Sequence, residues 1–127
     1  MSFAWVEYLA VAEGLLQQRG TLADAEACCR ATISRAYYAA FCAARNHARD
    51  VEGLRLTQTG EDHREVLRHY RRPTQAGHQE VGALLFRLRR HRTQADYADT
   101  MPGVVSRAYT ACQRARRVLR LLETLQP

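Results

Sequence analysis

The densest group of side chains that could do chemistry is a run of arginines near residue 90. The segment LRRHRTQADY covers residues 88–97, and the run comprises Arg87, Arg89, Arg90 and Arg92. A guanidinium group is planar and can hold two phosphate oxygens at once, which predicts a contact with the backbone of a nucleic acid. The same run at the end of a helix is also typical of a solvated surface that complements the helix dipole. The sequence leaves both interpretations open.

The charge of the whole chain also suits an anionic partner. All 19 side chains counted as Lys or Arg are arginine, and with 13 acidic side chains they give a net charge of +6. This excess favours RNA or an acidic protein without identifying which. A genome rich in G and C would also favour arginine codons over lysine codons, so the bias by itself assigns no function.

The cysteines show no metal-binding pattern. Cys28 and Cys29 are adjacent, Cys42 and Cys112 are isolated, and the chain has no C-x-x-C motif. All four fall within predicted helices among alanines, which is typical of small buried hydrophobic residues in a reducing compartment. We therefore expect neither a metal nor another cofactor.

Apolar periodicity predicts five helices and no sheet. The predicted helices cover about residues 3–19, 22–49, 61–71, 78–92 and the segment from Pro102 onward. No segment alternates with period two, so the fold class is all-α, an antiparallel up-and-down bundle of four to five helices. A chain of 127 residues is expected to form a single domain, residues 1–127.

Neither a membrane span nor a signal peptide is expected. No apolar run approaches the roughly 20 residues that a bilayer requires. The N-terminal stretch carries Glu7 and Glu13 and lacks a basic region. These features favour a cytoplasmic protein.

The second predicted helix combines alanines with aromatic residues in the segment ISRAYYAAFCAARNHA, residues 33–48. Tyr37 falls in the apolar stripe and is expected in the core. Ser34, Tyr38 and Cys42 recur at steps of four and are expected to form a small polar ridge that faces outward or toward a second copy.

This pattern resembles the HEPN domain, a small all-α module of prokaryotic toxin and defence systems. The chain is similar to the branch whose second helix carries Ser-Arg-Ala-Tyr-Tyr-Ala-Ala-Phe, intact here from Ser34 to Phe41. That branch also has an arginine followed closely by Ala-Asp-Tyr, here Arg92 and residues 95–97. The resemblance covers nearly the whole chain. It implies a homodimer with the site at the interface and metal-independent RNA cleavage.

The resemblance also implies roles for individual residues. In active HEPN proteins four to six residues separate the arginine from a histidine, but the matching window after Arg92 holds Tyr97, Ala98 and Asp99 and no histidine. Arg92 would hold the phosphate, and Asp96 or Tyr97 would take the place of histidine in proton transfer, with His91 ranked lower. Alternatively, Asp96 caps the turn or pairs with Arg92, and Tyr97 is a packed interface aromatic.

Two functions follow from the resemblance. The first is an RNA-binding protein of a toxin–antitoxin or defence system, with metal-independent endoribonuclease activity centred on Arg92. The second is a non-catalytic module that binds a nucleotidyltransferase or another acidic protein. Some HEPN toxins are silenced when a minimal nucleotidyltransferase antitoxin modifies a tyrosine near the motif, and Tyr97 matches that position. The arginine run favours the first function, and the missing histidine favours the second.

Overall fold

A computed structural model describes residues 2–57, 62–72 and 75–125, and the regular structure of these residues is helical. The five helices are α1 (Glu7–Gln17), α2 (Ala25–Asp50), α3 (Asp62–Arg71), α4 (Ala76–Tyr97) and α5 (Val104–Thr124). The described residues contain no strand, only an isolated bridge between Arg19 and Ala23. The prediction of an all-α helical bundle is therefore confirmed.

The centre of the bundle is α2, which packs against each of the other four helices. Its alanines make this possible, because small side chains let neighbouring helices approach closely. Ala36, Ala39, Ala40 and Ala44 are completely buried. The Thr32 hydroxyl adds a buried hydrogen bond of 2.8 Å to the carbonyl oxygen of Ala12, which ties α2 to α1. Tyr37 lies in this core as predicted.

Two helix boundaries differ from the sequence prediction in ways that matter for the site. The fourth helix continues to Tyr97 instead of ending near residue 92, so Asp96 lies inside the last turn of α4 and does not cap a following turn. Asp24 caps α2 by accepting a hydrogen bond of 2.9 Å from the Ala27 amide, so this helix begins at Ala25 instead of near residue 22. Residues 18–22 form a hydrogen-bonded turn before that cap, which shifts the start of α2.

The buried face of α5 does not include its first turn. Val105 is exposed because it lies in the first turn of α5, and full burial begins one turn later at Ala108. All four cysteines are buried free thiols, as the sequence predicts. Burial raises the pKa of Cys112 to about 11, so this thiol is protonated at neutral pH. Across the described residues, no helix combines the length and apolar character that crossing a membrane would demand.

Candidate nucleic-acid site

The side chain of Arg92, a residue of α4, packs against two aromatic rings of α2. Its Cζ atom is 5.5 Å from the centroid of the Tyr37 ring and 5.6 Å from that of Tyr38. The side chain is only 13% exposed, and its buried Nε has no hydrogen-bond partner among the described residues. The cation–π contacts fix the guanidinium of Arg92 against the aromatic side chains of α2.

Asp96 shares its carboxylate between Arg92 and Ser34. Its Oδ2 atom is 3.5 Å from Arg92 Nη1 and accepts a hydrogen bond of 3.4 Å from the Ser34 hydroxyl. The sequence alternative in which Asp96 pairs with Arg92 is thus what the structure shows. Both contacts are long and Asp96 is exposed, so the pair neutralises Arg92 only weakly.

The predicted outward ridge on α2 is wrong for two of its three members. Ser34 and Cys42 are buried, and only Tyr38 remains half-exposed. The ridge faces neighbouring elements inside the subunit because α4 packs over α2 along this side. Ser34 therefore hydrogen-bonds Asp96, and the Tyr38 ring packs against the Arg92 guanidinium.

A histidine that the sequence analysis did not select joins this group. His63, in the first turn of α3, has its Nδ1 atom 2.6 Å from the Tyr37 hydroxyl. Its ring stacks on Phe41 with a centroid distance of 4.2 Å. Burial, together with the charges of Arg89 and Arg92, lowers the pKa of His63 below its ordinary value. Linear spacing could not reveal this contact, because His63 lies on another helix and precedes Arg92.

Tyr37 connects the histidine to the arginine. Burial raises the pKa of the Tyr37 hydroxyl, and the charges of Arg89 and Arg92 offset only part of that effect. The phenol is therefore protonated at neutral pH and stays available as a hydrogen-bonding partner of His63. Tyr37 thus contacts the Arg92 guanidinium with its ring face and the His63 imidazole with its hydroxyl. We call Ser34, Tyr37, Tyr38, His63, Arg92 and Asp96 the Arg92 cluster.

His91 does not belong to the Arg92 cluster. Its Nδ1 atom lies 3.5 Å from Nη1 of Arg114, so the ring is directed toward α5. Burial and the charges of Arg114, Arg107 and Arg90 lower the pKa of His91. The structure therefore joins His91 to α5, while Arg92, the next residue, joins α2.

The remaining arginines of the run lie on different faces of α4, because Arg87 and Arg89 are two residues apart on the helix. Arg87 and Arg90 are exposed, and Arg89 is half-buried. An open groove of about 360 Å³ runs past two of them, lined by Leu67, Phe86, Arg89, Arg90, Thr93 and Gln94. This surface combines cationic and apolar side chains, a combination that suits phosphates and bases of a single strand.

Tyr97 is the last residue of α4 and the most exposed large hydrophobic residue described, at 77%. It does not contact the Arg92 cluster through any ring or hydrogen bond found in the described residues. The helix end beneath it is fixed by Arg30 of α2, whose Nη1 donates to the carbonyl oxygens of Ala95 (3.0 Å) and Ala98 (2.6 Å). These bonds satisfy carbonyl groups that a helix end otherwise leaves unpaired.

One group of described residues has the side-chain arrangement of a metal site, and it lies away from the Arg92 cluster. Glu52, His69 and His78 bring their ligand atoms within 4.8 Å of one another. We call these three residues, with the neighbouring His47, the Glu52 cluster. It was not expected from the sequence, because its members come from separate elements at irregular spacing.

No family model, curated protein or solved structure matches the chain. A functional assignment therefore depends on the sequence motifs and on the geometry of the two clusters.

Proposed function

We propose that this protein is a HEPN-like RNA-binding protein of a toxin–antitoxin or defence system that cleaves RNA without a metal ion. The observation that supports this most strongly is the meeting of Arg92 and His63 on Tyr37. The guanidinium lies over the tyrosine ring, and the imidazole is hydrogen-bonded to the hydroxyl of the same residue. A cation and a proton-transfer group are the two components that this chemistry needs.

The reaction would be an internal transfer within RNA. The 2′-hydroxyl loses its proton and attacks the adjacent phosphorus, and the 5′-oxygen of the next nucleotide leaves with a proton. The products are a 2′,3′-cyclic phosphate and a 5′-hydroxyl. Arg92 would hold the phosphate oxygens on which negative charge increases in the transition state.

His63 is the better proton acceptor of the available groups. Its lowered pKa leaves the imidazole uncharged at neutral pH, so it can accept a proton. When Nδ1–H donates to the Tyr37 oxygen, Nε2 is the free acceptor for the 2′-hydroxyl proton. Asp96 already shares its carboxylate with Arg92 and Ser34, which favours a role in positioning Arg92. In this proposal His63 takes the place of the histidine that is missing after Arg92.

The surface beside the cluster would hold the rest of the strand. Arg89 and Arg90 line the groove and would neutralise phosphates there, and Phe86 offers a half-exposed ring for base stacking at the same groove. Arg87 lies outside the groove and would add positive charge on another face of α4. We also propose that two copies meet near the C-terminal end of α4, since Tyr97 presents a large exposed ring there. Each copy would then add its arginine run to a shared groove.

Incubation of the purified protein with end-labelled single-stranded RNA in a chelator tests the proposal. We expect cleavage with cyclic-phosphate ends, and we expect Arg92→Ala to lower its rate by about 100-fold or more. His63→Phe keeps an aromatic ring against Phe41 but removes the proton acceptor, so it should also lose cleavage. Arg120→Ala removes an exposed arginine of α5 and should cleave like the wild type. Equal rates for Arg92→Ala and Arg120→Ala would remove Arg92 from the mechanism.

A second function is favoured by Tyr97. Its ring is 77% exposed and stands outside the Arg92 cluster, which leaves the hydroxyl accessible to another protein. In this alternative the chain is a non-catalytic HEPN module, and a nucleotidyltransferase or other acidic partner binds the arginine surface and modifies Tyr97. RNA that is neither bound nor cut, together with tight binding of such a partner, would select this alternative.

A further inference from the structure

Glu52 lies among three histidines near the N-terminal end of α4, whereas Arg92 lies near the C-terminal end of the same helix. Its Oε1 atom is 2.7 Å from His69 Nε2, and its Oε2 atom is 2.6 Å from His78 Nε2. His47 Nε2 faces the same Oε2 atom at 3.6 Å. His47 lies near the end of α2, Glu52 just beyond it, His69 in α3 and His78 in α4, so the cluster joins three helices and a loop.

The cluster is nearly closed to solvent. The side chains of Glu52, His69 and His78 are 10%, 5% and 8% exposed. Among the described residues, His47 Nε2 and His78 Nδ1 are buried nitrogens without a hydrogen-bond partner. Buried polar atoms normally have partners, so these two nitrogens are unusual, and His47 Nε2 is directed at the carboxylate.

We propose that the Glu52 cluster binds one divalent transition-metal ion of the zinc type. Glu52, His69 and His78 are the ligands. His47 Nε2 lies 3.6 Å from Glu52 Oε2 but outside this three-residue group, so it would have to move toward the ion to become the fourth ligand. Two or three imidazoles with one carboxylate are a donor set that zinc prefers. Bonds of about 2.0–2.1 Å to a tetrahedral ion set neighbouring ligand atoms roughly 3.4 Å apart. The carboxylate–imidazole contacts would therefore open by less than about 1 Å to admit the ion, and ligand atoms that now lie up to 4.8 Å apart would move closer together.

The surrounding side chains already hold two of the ligands in place. The Tyr70 hydroxyl donates to the carbonyl oxygen of Ala44 at 2.6 Å, and its ring stacks against His78. A Cβ atom at Gly82 would lie 3.3 Å from the Tyr70 backbone, so glycine lets α3 and α4 approach closely here. Packing around a ligand restricts its orientation and thereby supports metal binding.

Arg72 competes with the ion for His69. The Arg72 guanidinium donates to His69 Nδ1 at 3.1 Å, so Nε2 carries the proton that is shared with Glu52. When Nε2 binds a metal, the proton must move to Nδ1, where it would face the guanidinium. Arg72 is exposed and can turn into solvent. Its removal should therefore make the ion bind more tightly.

The ion would act on the structure and not in RNA cleavage. His78 and Arg92 are fourteen residues apart on α4, which corresponds to about 21 Å along the helix axis. The ligands instead fix the loop after α2 against α3 and α4. The two sites can therefore be tested separately, and failure of one leaves the other unaffected.

Titration of the chelator-treated full chain with Co²⁺, followed by displacement with Zn²⁺, tests the proposal. Visible absorption of four-coordinate Co²⁺ should appear, saturate at one ion per chain and vanish when Zn²⁺ is added. His69→Gln should weaken Co²⁺ binding by about 100-fold or more, since even the loss of a group that only hydrogen-bonds a metal ligand costs roughly 10–100-fold. His91→Gln is the matched control, because it changes a histidine of α4 outside the cluster, and it should bind like the wild type.

Several results would overturn the metal site. They are the absence of the Co²⁺ absorption in the folded wild-type chain, and equal affinities of His69→Gln and His91→Gln. Circular dichroism of each metal-free variant shows whether it is folded. Arg72→Ala changes only an exposed side chain and should remain folded, so it tests the site even if a ligand variant does not fold. We expect it to bind Co²⁺ several-fold more tightly than the wild type, and weaker binding would contradict the role of His69 Nε2.

Discussion

The Arg92 and Glu52 clusters lie toward opposite ends of α4 and both contain histidine, but their electrostatics are opposite. In the Arg92 cluster, burial and nearby guanidinium groups lower the pKa of His63. In the Glu52 cluster, burial acts to raise the pKa of the carboxyl, but hydrogen bonds from His69 and His78 outweigh it and the pKa is lowered. The first environment favours an uncharged imidazole that can accept a proton, whereas the second stabilises a buried anion.

The two clusters have contacts suited to different roles, the Arg92 cluster to binding a substrate and the Glu52 cluster to stabilising the fold. In the Arg92 cluster the contacts of Asp96 with Arg92 and Ser34 are long, at 3.5 and 3.4 Å, as expected where a phosphate must compete for Arg92, whereas His63 and Tyr37 share a short contact of 2.6 Å. The Glu52 cluster is buried and has short contacts, as expected where side chains hold a fold together. Substitutions in the two clusters should therefore affect different measurements.

The largest loss of stability is expected for Glu52→Ala. This change removes both short hydrogen bonds from buried histidines and should lower the free energy of unfolding by about 2–4 kcal/mol. Urea denaturation of the metal-free proteins measures it. The matched control is Glu80→Ala, since Glu80 also accepts two hydrogen bonds, from Arg117 at 2.8 and 3.1 Å, but on the surface. If Glu52→Ala and Glu80→Ala lower the free energy of unfolding by similar amounts, the buried hydrogen bonds of Glu52 contribute no more to stability than those on the surface.

Arg30→Ala should give the next largest effect. The guanidinium bonds to the carbonyls of Ala95 and Ala98 would be lost, and we expect a loss of about 1–2 kcal/mol. Hydrogen exchange of residues 95–98 should accelerate because the last turn of α4 would open more often. Arg49→Ala removes an arginine from the last turn of α2 and should leave this exchange unchanged. If hydrogen exchange of residues 95–98 is unchanged in Arg30→Ala, the last turn of α4 is stable without the bonds from Arg30.

Protonation of His63 should make the free energy of unfolding depend on pH, with a smaller effect than the substitutions above. Because its pKa is lower in the folded chain than the ordinary value near 6.5, the unfolded chain binds the proton more readily. The stability associated with uncharged His63 is therefore complete above pH 6.5 and decreases as pH falls below it. We expect wild type to lose more stability between pH 7 and pH 5 than His63→Phe does, as measured by urea denaturation. Parallel pH curves would contradict the lowered pKa.

The smallest effect on folding is expected for Tyr97→Ala. Its exposed ring contributes little within the subunit, so the free energy of unfolding should change by less than about 0.5 kcal/mol. Light scattering after size-exclusion chromatography should instead show loss of the proposed dimer. Tyr109→Ala is the control, because Tyr109 is another exposed tyrosine, on α5. A dimer that persists in Tyr97→Ala would place the interface elsewhere.

The sequence was sufficient for the helices because each has a strong local pattern. Its errors come from contacts between distant residues. The end of α4 was placed too early because Arg30, far away in the chain, binds the carbonyls there. Spacing rules missed the Glu52 cluster because its ligands come from separate elements. His63 was overlooked for the same reason, since only the packing of α3 and α2 brings it to Tyr37.

A single spectrum of the imidazole carbon–proton resonances tests most directly whether the two clusters have different roles. The chain contains five histidines, and His63 reports on one cluster while His69 and His78 report on the other. Addition of single-stranded RNA with 2′-deoxy substitutions, which cannot be cleaved, should shift the His63 resonances and leave His69 and His78 unchanged. Addition of Zn²⁺ should do the reverse. RNA-induced shifts at His69 and His78, or none at His63, would contradict the account.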